Sequence, residues 1–313
     1  MINVANVTVA IATLNRPDAV ARCLDAILSA ELLPAEVIIV DQSETETTRG
    51  IIAQRQGSAI PIMYIRQRQR GLSISRNTAF ARANYPIVAM TDDDCVPDRK
   101  WITTIAQNFE SSSAPDAVTG RILPLGPERP DTYEISSRRS TTRREFEGNT
   151  LPWLVGSGGN CAVKRSLFQQ IGGYDERLGA GSPGKAAEDM DFFYRLLRAQ
   201  ARIRYEPQAV IYHERQNRAR RLASRYQYGH GMGAFCAIWL RRGDAHAFVI
   251  IARWTADLLL AYMRAIVHLN WPLAKQRWYS LQGTVGGVLY GLTVRKRQVT
   301  NNFEQHYEYS ERF

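Results

Sequence analysis

Four short apolar runs, each closing on a polar residue and separated by stretches of helical periodicity, restrict this chain to an α/β fold. Val7 to Ala12 is the first run, and its β-branched and small residues suit a strand buried on both faces. It gives way to Thr13-Leu14-Asn15-Arg16-Pro17, where Pro17 and Asp18 suit a helix start. Val20, Leu24, Ile27 and Leu28 then recur at helical spacing. Glu36 to Asp41 reads as a second strand and Ile62 to Ile65 as a third. A helix is predicted around Ile74 to Asn84, and Pro86 to Met90 is a fourth strand that ends in Thr91-Asp92-Asp93-Asp94. Strands alternating with helices pair in parallel through right-handed crossovers. Ligands of such sheets bind beyond the carboxyl ends of the strands. Thr13, Asp41 and Asp92 each follow a strand, so the pattern puts them on one rim.

Beyond the fourth strand, residues 124–150 are polar, with Pro and Gly early, and read as an excursion over the site, part loop and part short helix. Val155 to Val163 is glycine-rich, a helix begins near Arg165, and Gly172-Gly173-Tyr174-Asp175 is a turn. Glu188 to Gln200 is predicted helical, with Phe192, Phe193, Leu196 and Leu197 inward. Ile203 to Tyr205 and Ala209 to Tyr212 read as two short strands.

The last third differs in character. The 313 residues suffice for one large domain with an appendage, and their net charge of +10 is unevenly spread. Residues 1–200 balance acids against bases, whereas residues 201–300 hold 16 basic and 4 acidic side chains. Such a field favours an anionic partner. A helix from about Arg241 to His268 gathers Arg242, His246, Arg253, Asp257, Arg264 and His268 into a stripe roughly 80° wide on the ideal repeat. Its other face carries Phe248, Val249, Ile250, Leu258, Leu259, Leu260, Met263 and Ile266 and requires a protein core or lipid. Thr284 to Val294, leading into Arg295-Lys296-Arg297, is too short and too rich in small residues to read as a membrane span. The expected domains are therefore 1–225, catalytic, and 226–313, a basic helical extension that associates with membrane. Cys23, Cys95, Cys161 and Cys236 lack the close spacing of a zinc or redox motif. The N-terminus lacks the basic and long apolar regions of a signal peptide, so a cytoplasmic setting is the expectation.

Three consecutive carboxylates at a strand end repel one another, and a divalent cation relieves that repulsion. Hard oxygen ligands suit Mg²⁺ or Mn²⁺, which commonly combine one or two carboxylates with substrate phosphates. Asp92 and Asp94, at alternate positions, point to one side if the strand continues; the competing reading is a solvated acidic turn. Asp189, in Glu188-Asp189-Met190-Asp191, is placed as a general base, or else these acids complement a helix N-terminus. His213 reads equally as a third metal ligand, a diphosphate contact or a structural histidine. Arg215, Arg218, Arg220, Arg221 and Arg225 form a basic cluster for a diphosphate, for anionic lipid or for solvent. No glycine-rich dinucleotide motif follows the first strand, and no phosphate-loop lysine motif occurs.

In their order and spacing these segments resemble the inverting family 2 glycosyltransferases of GT-A fold, from about Val7 to His213. Ala12-Thr13-Leu14-Asn15-Arg16 is similar to that family's first strand end, with Ala12 in place of the usual proline. Glu36 to Ser43 resembles its second strand, and Gly71 to Asn77 the segment ahead of the metal strand. Thr91 to Asp94 matches the metal motif, Gly156 to Cys161 the acceptor-side loop, Ile171 to Glu176 the turn after it, and Glu188-Asp189 the catalytic acidic pair. The resemblance implies a Rossmann-like mixed sheet flanked by helices, as in nucleotide-diphospho-sugar transferases, plus the C-terminal amphipathic helical extension. It implies that Thr13, Asn15, Arg16, Asp41, Ser43, Arg76, Asp92 and Asp93 bind the donor. Trp153, Gly158, Gly159, Asn160 and Glu188 would lie toward the acceptor, and Asp94, with Asp92 and His213, would hold Mn²⁺ or Mg²⁺. Asp189 would be the base. The implied donor is a nucleotide-diphosphate sugar, by default a UDP-sugar, and the acceptor a glycan or lipid-linked hydroxyl at the inner face of a membrane, without nucleic acid. The chain lacks the glutamine-x-x-arginine-tryptophan motif of processive synthases, which favours single hexosyl additions. Arg225 to Ala234 is similar to bacterial members acting on lipid-linked or cell-surface glycans, and a homodimer through the C-terminal helices is a further arrangement. Two alternatives stand beside this: a nucleotidyltransferase that makes the nucleotide sugar, disfavoured by the missing glycine-rich N-terminal loop, and a non-catalytic basic protein binding membrane or nucleic acid on the same scaffold.

Overall fold

The computed structural model describes residues 4–295 and 308–313; Met1 to Asn3, Lys296 and Arg297 lie outside them. In chain order β1 (Val4–Thr13), α1 (Pro17–Leu28), β2 (Leu33–Asp41), α2 (Thr47–Ala53), β3 (Ile62–Arg66), α3 (Leu72–Arg82) and β4 (Ile87–Asp92) alternate as the apolar pattern predicts. There follow β5 (Cys95–Pro97), α4 (Trp101–Glu110), β6 (Ala117–Pro124), β7 (Thr132–Tyr133), β8 (Arg144–Phe146), α5 (Pro152–Val155), β9 (Asn160–Lys164), α6 (Arg165–Ile171), α7 (Glu188–Arg198), β10 (Ile203–His213) and β11 (Gln216–Asn217). The last third is α8 (Arg218–Leu240), α9 (His246–Val267), α10 (Trp271–Thr293) and a terminal strand β12 (Tyr309–Arg312).

The main sheet has the order β12-β3-β2-β1-β4-β9-β6-β10-β5, with β8 also on β10. Strands β3, β2, β1 and β4 are parallel, whereas β9 runs antiparallel to both β4 and β6. The sheet is thus mixed, as expected for the GT-A class. Period-two alternation divides its core. Val9, Ile11, Val37, Ile39 and Tyr64 pack with Trp101, Ile102 and Ile105 of α4 on one face. Ala10, Ile38, Val40 and Ile65 pack with Phe80 of α3 and Phe192, Phe193 and Leu196 of α7 on the other. Both faces are covered, so the central strands are largely apolar.

Three local expectations change. Residues 124–150 contain two short strands and an Ile122–Arg138 bridge where a short helix was predicted. Arg144 to Phe146 pairs with Ile203 to Tyr205 of β10, which gives this polar segment backbone partners without a helix face to bury. The two short strands predicted after α7 are one strand, β10, with a register shift between Glu206 and Val210, around Pro207. The helix predicted from Arg241 starts at His246, because Gly243 adopts φ +82° and the Asp244 side chain accepts from the His246 N–H.

Helix α8 runs without a break through residues 225 and 226, and α10 lies against it through small residues. A Cβ added at Gly287 would stand 1.9 Å from the His230 carbonyl oxygen, and one at Gly229 2.0 Å from that of Ser280. At Gly283 it would stand 2.1 Å from the Tyr226 carbonyl oxygen. The backbones approach so closely that only hydrogen fits between them. The same helix also meets α7 and the segment before it: Trp239 Nε1 donates to Asp191 Oδ1 at 2.8 Å, and a Cβ on Gly231 would lie 2.5 Å from the Ala186 carbonyl carbon. Strand β12 then returns to the sheet on β3, where Arg49 grips Glu311 through two nitrogens.

Gly287→Ala is expected to force α8 and α10 apart and to destabilise the protein by about 1–3 kcal/mol. Gly286→Ala meets only the end of the Tyr226 side chain, at 3.1 Å, and is expected to leave stability within about 1 kcal/mol. Thermal melts of the two variants test this; equal melting temperatures would refute the close contact.

Candidate active site

The register of the sheet builds the site. Thr13 sits beside Asp41 across β1 and β2, and Ala12 sits beside Asp92 across β1 and β4, so three strand ends meet on one rim. β5 turns back and pairs with the end of β10, setting His213 opposite Cys95. α7 brings Glu188 and Asp189 in from the far side. Around this rim lies a cavity of about 1200 Å³. Thr13, Arg16, Arg76, Asp92, Asp93, Asp94, Trp153, Gly159, Glu188, Asp189 and His213 border it. Asn15, Asp41, Ser43, Gly158 and Asn160 lie behind that lining.

The residues behind the lining hold it in shape. Asp41 is fully buried; one carboxylate oxygen accepts from the Ser43 N–H and hydroxyl, and the other accepts from the Tyr64 hydroxyl at 2.9 Å. The Ser43 hydroxyl oxygen in turn accepts from the Asn15 N–H at 2.7 Å, which secures Asn15 at φ +54°. Asn160 accepts from Trp101 Nε1 and donates to the carbonyls of Arg121 and Ala209.

The three aspartates divide their duties. Asp93 turns inward, accepting from the Thr13 hydroxyl at 2.8 Å and from Arg16 at 3.0 Å. Burial and the neighbouring Asp94 push its carboxyl up to about 6, against the pull of Arg16. Asp94 shares Arg16 with Asp93, its Oδ2 accepting from the same guanidinium nitrogen at 2.7 Å, while one oxygen each of Asp92 and Asp94 gathers with Cys95 Sγ and a His213 nitrogen within 4.8 Å of one another. His213 Nδ1 lies 2.9 Å from the Glu214 carbonyl oxygen, and a proton given to that oxygen leaves the Nε2 lone pair facing Asp94 Oδ1 at 3.5 Å. Two electron-pair donors facing each other is an arrangement a cation resolves. Sulfur is a soft donor, so the donor set fitting a hard ion is the two carboxylates and the imidazole.

Arg76 links this group to the other acids. Its guanidinium donates to Asp92 Oδ1 at 3.0 Å and to Glu188 Oε1 at 3.1 Å, and it lies over the Tyr174 ring at 5.3 Å. Burial disfavours the cation, yet Tyr174, Asp92, Glu188 and Asp189 raise its pKa above the ordinary value. Glu188 is pushed up to about 7 by burial and by Asp189, with Arg76 opposing. Asp189 is oriented at both oxygens: Oδ2 accepts from the Gly158 N–H at 3.1 Å and Oδ1 from the Met190 N–H at 2.9 Å. The helix bearing it starts after Ala187 at φ +65°. Asp189 therefore enters the cavity as a base candidate held by the glycine-rich loop.

Sequence reasoning passed over Arg138. It borders the cavity and donates to the carbonyls of Gly156, at 2.7 Å, and Trp153, so it ties the polar excursion to the glycine-rich loop. Nothing in the local pattern marks it. Cys95 was readable as the neighbour of Asp94.

A Cβ on Gly159 would lie 2.3 Å from Asp92 Oδ2. Gly159→Ala is therefore expected to push Asp92 from Arg76 and to weaken Mn²⁺ binding at least tenfold, with the fold retained. Manganese titration followed by electron paramagnetic resonance reads this, and unaltered affinity would show that Asp92 is not constrained there.

Comparison with known proteins places the chain. The family model described as glycosyl transferase family 2 matches residues 8–172, just over half of the chain, and a second, glycosyltransferase-like family 2, matches residues 141–235. The pre-mycofactocin glycosyltransferase of Mycobacterium tuberculosis is 29% identical over 189 residues, 58% of this chain and 38% of the relative. This chain thus spans well under half the length of that protein. The glucosyl-dolichyl phosphate glucuronosyltransferase of Haloferax volcanii is 26% identical over 230 residues, 67% of this chain and 68% of the relative. Among solved structures, residues 1–349 of TarS from S. aureus superpose with a TM-score of 0.58 at 16% identity, covering 92% of this chain and 75% of that one. The mannosyltransferase PcManGT from Pyrobaculum calidifontis, in complex with GDP-Man and Mn²⁺, gives a TM-score of 0.56 at 18% identity, covering 93% of this chain and 88% of that one. These likenesses support the GT-A fold, and the matched family covers the strands and loops from which the cavity is built: the chain belongs to glycosyltransferase family 2.

Proposed function

We propose that the protein is an inverting, metal-dependent glycosyltransferase that moves one hexosyl unit from a nucleotide-diphosphate sugar to a hydroxyl of a glycan or lipid-linked acceptor. The observation that carries this is the meeting of the Asp92–Asp94–His213 group with Asp189 in one cavity, where Arg76 joins Asp92 to Glu188, the residue next to Asp189. The non-catalytic alternative leaves that assembly of buried acids without a purpose.

In this reading Asp94, Asp92 and His213 hold Mn²⁺ or Mg²⁺, which when bound supplies Lewis-acid stabilisation to the departing diphosphate. Thr13 and Arg16 fix the metal turn through Asp93 and Asp94. Asn15, Asp41 and Ser43 shape the nucleoside side from behind. Asp189 takes the proton of the acceptor hydroxyl, which attacks the anomeric carbon opposite the diphosphate and inverts it. Gly158 and Met190 aim that carboxylate through their N–H groups. A UDP-sugar is the donor to try first; the complexes of similar structures hold UDP-GlcNAc in one case and GDP-Man in another.

The same reading puts the enzyme on the inner face of a membrane as a peripheral protein. No helix among the described residues is long and apolar enough to cross a membrane. α9 nevertheless turns only Ala247, Ile250, Leu258 and Ala265 fully inward. Phe248, Val249, Leu260, Met263 and Val267 are each more than half exposed. An apolar face of this extent serves lipid or a second subunit.

Asp189→Asn is expected to keep donor affinity and to lose transfer by about 10²–10⁴-fold; Asp94→Ala is expected to lose Mn²⁺-dependent donor hydrolysis as well. A screen of nucleotide sugars with Mn²⁺ measures both, and full transfer by Asp189→Asn removes it as the base. Phe248→Glu combined with Met263→Glu is expected to release the protein from anionic vesicles in a flotation assay. Failure of the unaltered protein to float would assign that face to a subunit contact.

A further inference from the structure

The cavity has two electrical sides. Its sheet side is acidic, and its α8 side carries guanidinium groups with no acid to answer them. Arg221 and Arg225 stand one helical turn apart on α8 and both border the cavity. Like charges at this spacing repel. Arg277 on α10 adds to the crowding, since burial together with Arg221 and Arg277 lowers the Arg225 pKa, and burial together with Arg221 lowers that of Arg277. Among the described residues, none of the three has a carboxylate within ion-pair distance. The Nε atoms of Arg225 and Arg277 are buried without a hydrogen-bond partner. Arg221 is held in place by Gln276, at 3.0 Å, and by the Tyr133 ring, 4.6 Å beneath its guanidinium.

An uncompensated group of this kind costs stability unless an anion completes it. The donor's diphosphate is already provided for at the aspartates. Tyr228, three residues after Arg225, borders the same cavity as Asp189, so this wall and the base open onto one space. The anion therefore belongs to the molecule whose hydroxyl Asp189 activates.

We propose that Arg221, Arg225 and Arg277 form a phosphate subsite for the acceptor, separate from the donor's diphosphate site. The acceptor would then be a phosphate-bearing sugar or lipid. The inference rests on the glycosyltransferase reading for its word "acceptor", and the test separates the two. Calorimetric titration of the full chain in EDTA, where metal-dependent donor binding is silent, uses inorganic phosphate and farnesyl phosphate as probes, with farnesol as the uncharged control. Both phosphates are expected to bind, and farnesol alone is not. Arg225→Gln and Arg277→Gln are each expected to weaken phosphate binding at least tenfold, and Arg225→Lys to weaken it less. Melting temperatures are expected to hold or rise in the glutamine variants, since repulsion is relieved. Tighter binding of farnesyl phosphate than of phosphate assigns the group to a lipid carrier, and equal affinity assigns it to a soluble phosphate; both outcomes support the subsite. UDP or GDP affinity with Mn²⁺ should stay within twofold in the variants. Phosphate affinity unchanged in both glutamine variants overturns the proposal, as does a parallel loss of nucleotide affinity, which would give these arginines to the donor. Absence of nucleotide binding in the unaltered protein, with arginine-dependent phosphate binding intact, would sink the glycosyltransferase reading and leave the subsite standing.

Discussion

One buried cation holds the two halves of this site together. Arg76 lies between Asp92, at the end of a parallel strand, and Glu188, at the start of a helix nearly a hundred residues later. A buried guanidinium is tolerable only when its donors are satisfied, and these two carboxylates with the Tyr174 ring do that. In the proposed reading, the metal side and the base side are thereby fixed relative to each other before any substrate arrives. Such preorganisation matters because reacting groups must be held within fractions of an ångström. Glu188, held near neutral protonation by burial and its acidic neighbour, acts as the anchor of this bridge, and Asp189 faces the cavity.

The parallel half of the sheet was legible because its signal is local. Strands covered on both faces are largely apolar, as Val9 to Ala12 and Val37 to Val40 show, and the buried exceptions Thr8 and Glu36 hydrogen-bond to each other at 2.7 Å. The polar residue closing each run marked the rim for the same reason. The segment between β6 and β9 was less legible because its strands are two and three residues long and are stabilised by distant partners. Arg138 acquires its role only when the chain folds back to Trp153 and Gly156. The start of α9 was misplaced because a continuous helical stripe does not reveal that Gly243 takes a left-handed conformation. That Asp93 turns to the Thr13 hydroxyl and shares Arg16 with Asp94, while Asp92 pairs with Arg76, is something pattern alone does not determine.

The helical third is an integral wall of the cavity. α8 supplies Arg221, Arg225 and Tyr228 to its lining and presses Gly231 against Ala186, one residue before the strained Ala187 that precedes the base. Glycine at 229, 283 and 287 lets α10 brace α8 at backbone distance, so a wall carrying uncompensated charge is kept rigid by packing. Opposed acidic and basic sides within one cavity give it a direction, which in the proposed reading tells two differently charged substrates apart.

The return of β12 to the edge of β3 has a geometric result. A run of helices that left the sheet after β10 and never came back would pivot on a single joint, and its exposed greasy face would sample many attitudes. Here the excursion is moored at both shores, by α8 at one end and by the Glu311–Arg49 clasp at the other. Trp254 of α9 borders the cavity and donates to Thr284 of α10 at 3.1 Å, so the apolar ridge of α9 sits at a set angle to the cavity mouth, and in the proposed reading whatever surface that ridge settles on also decides from which direction the second substrate can enter.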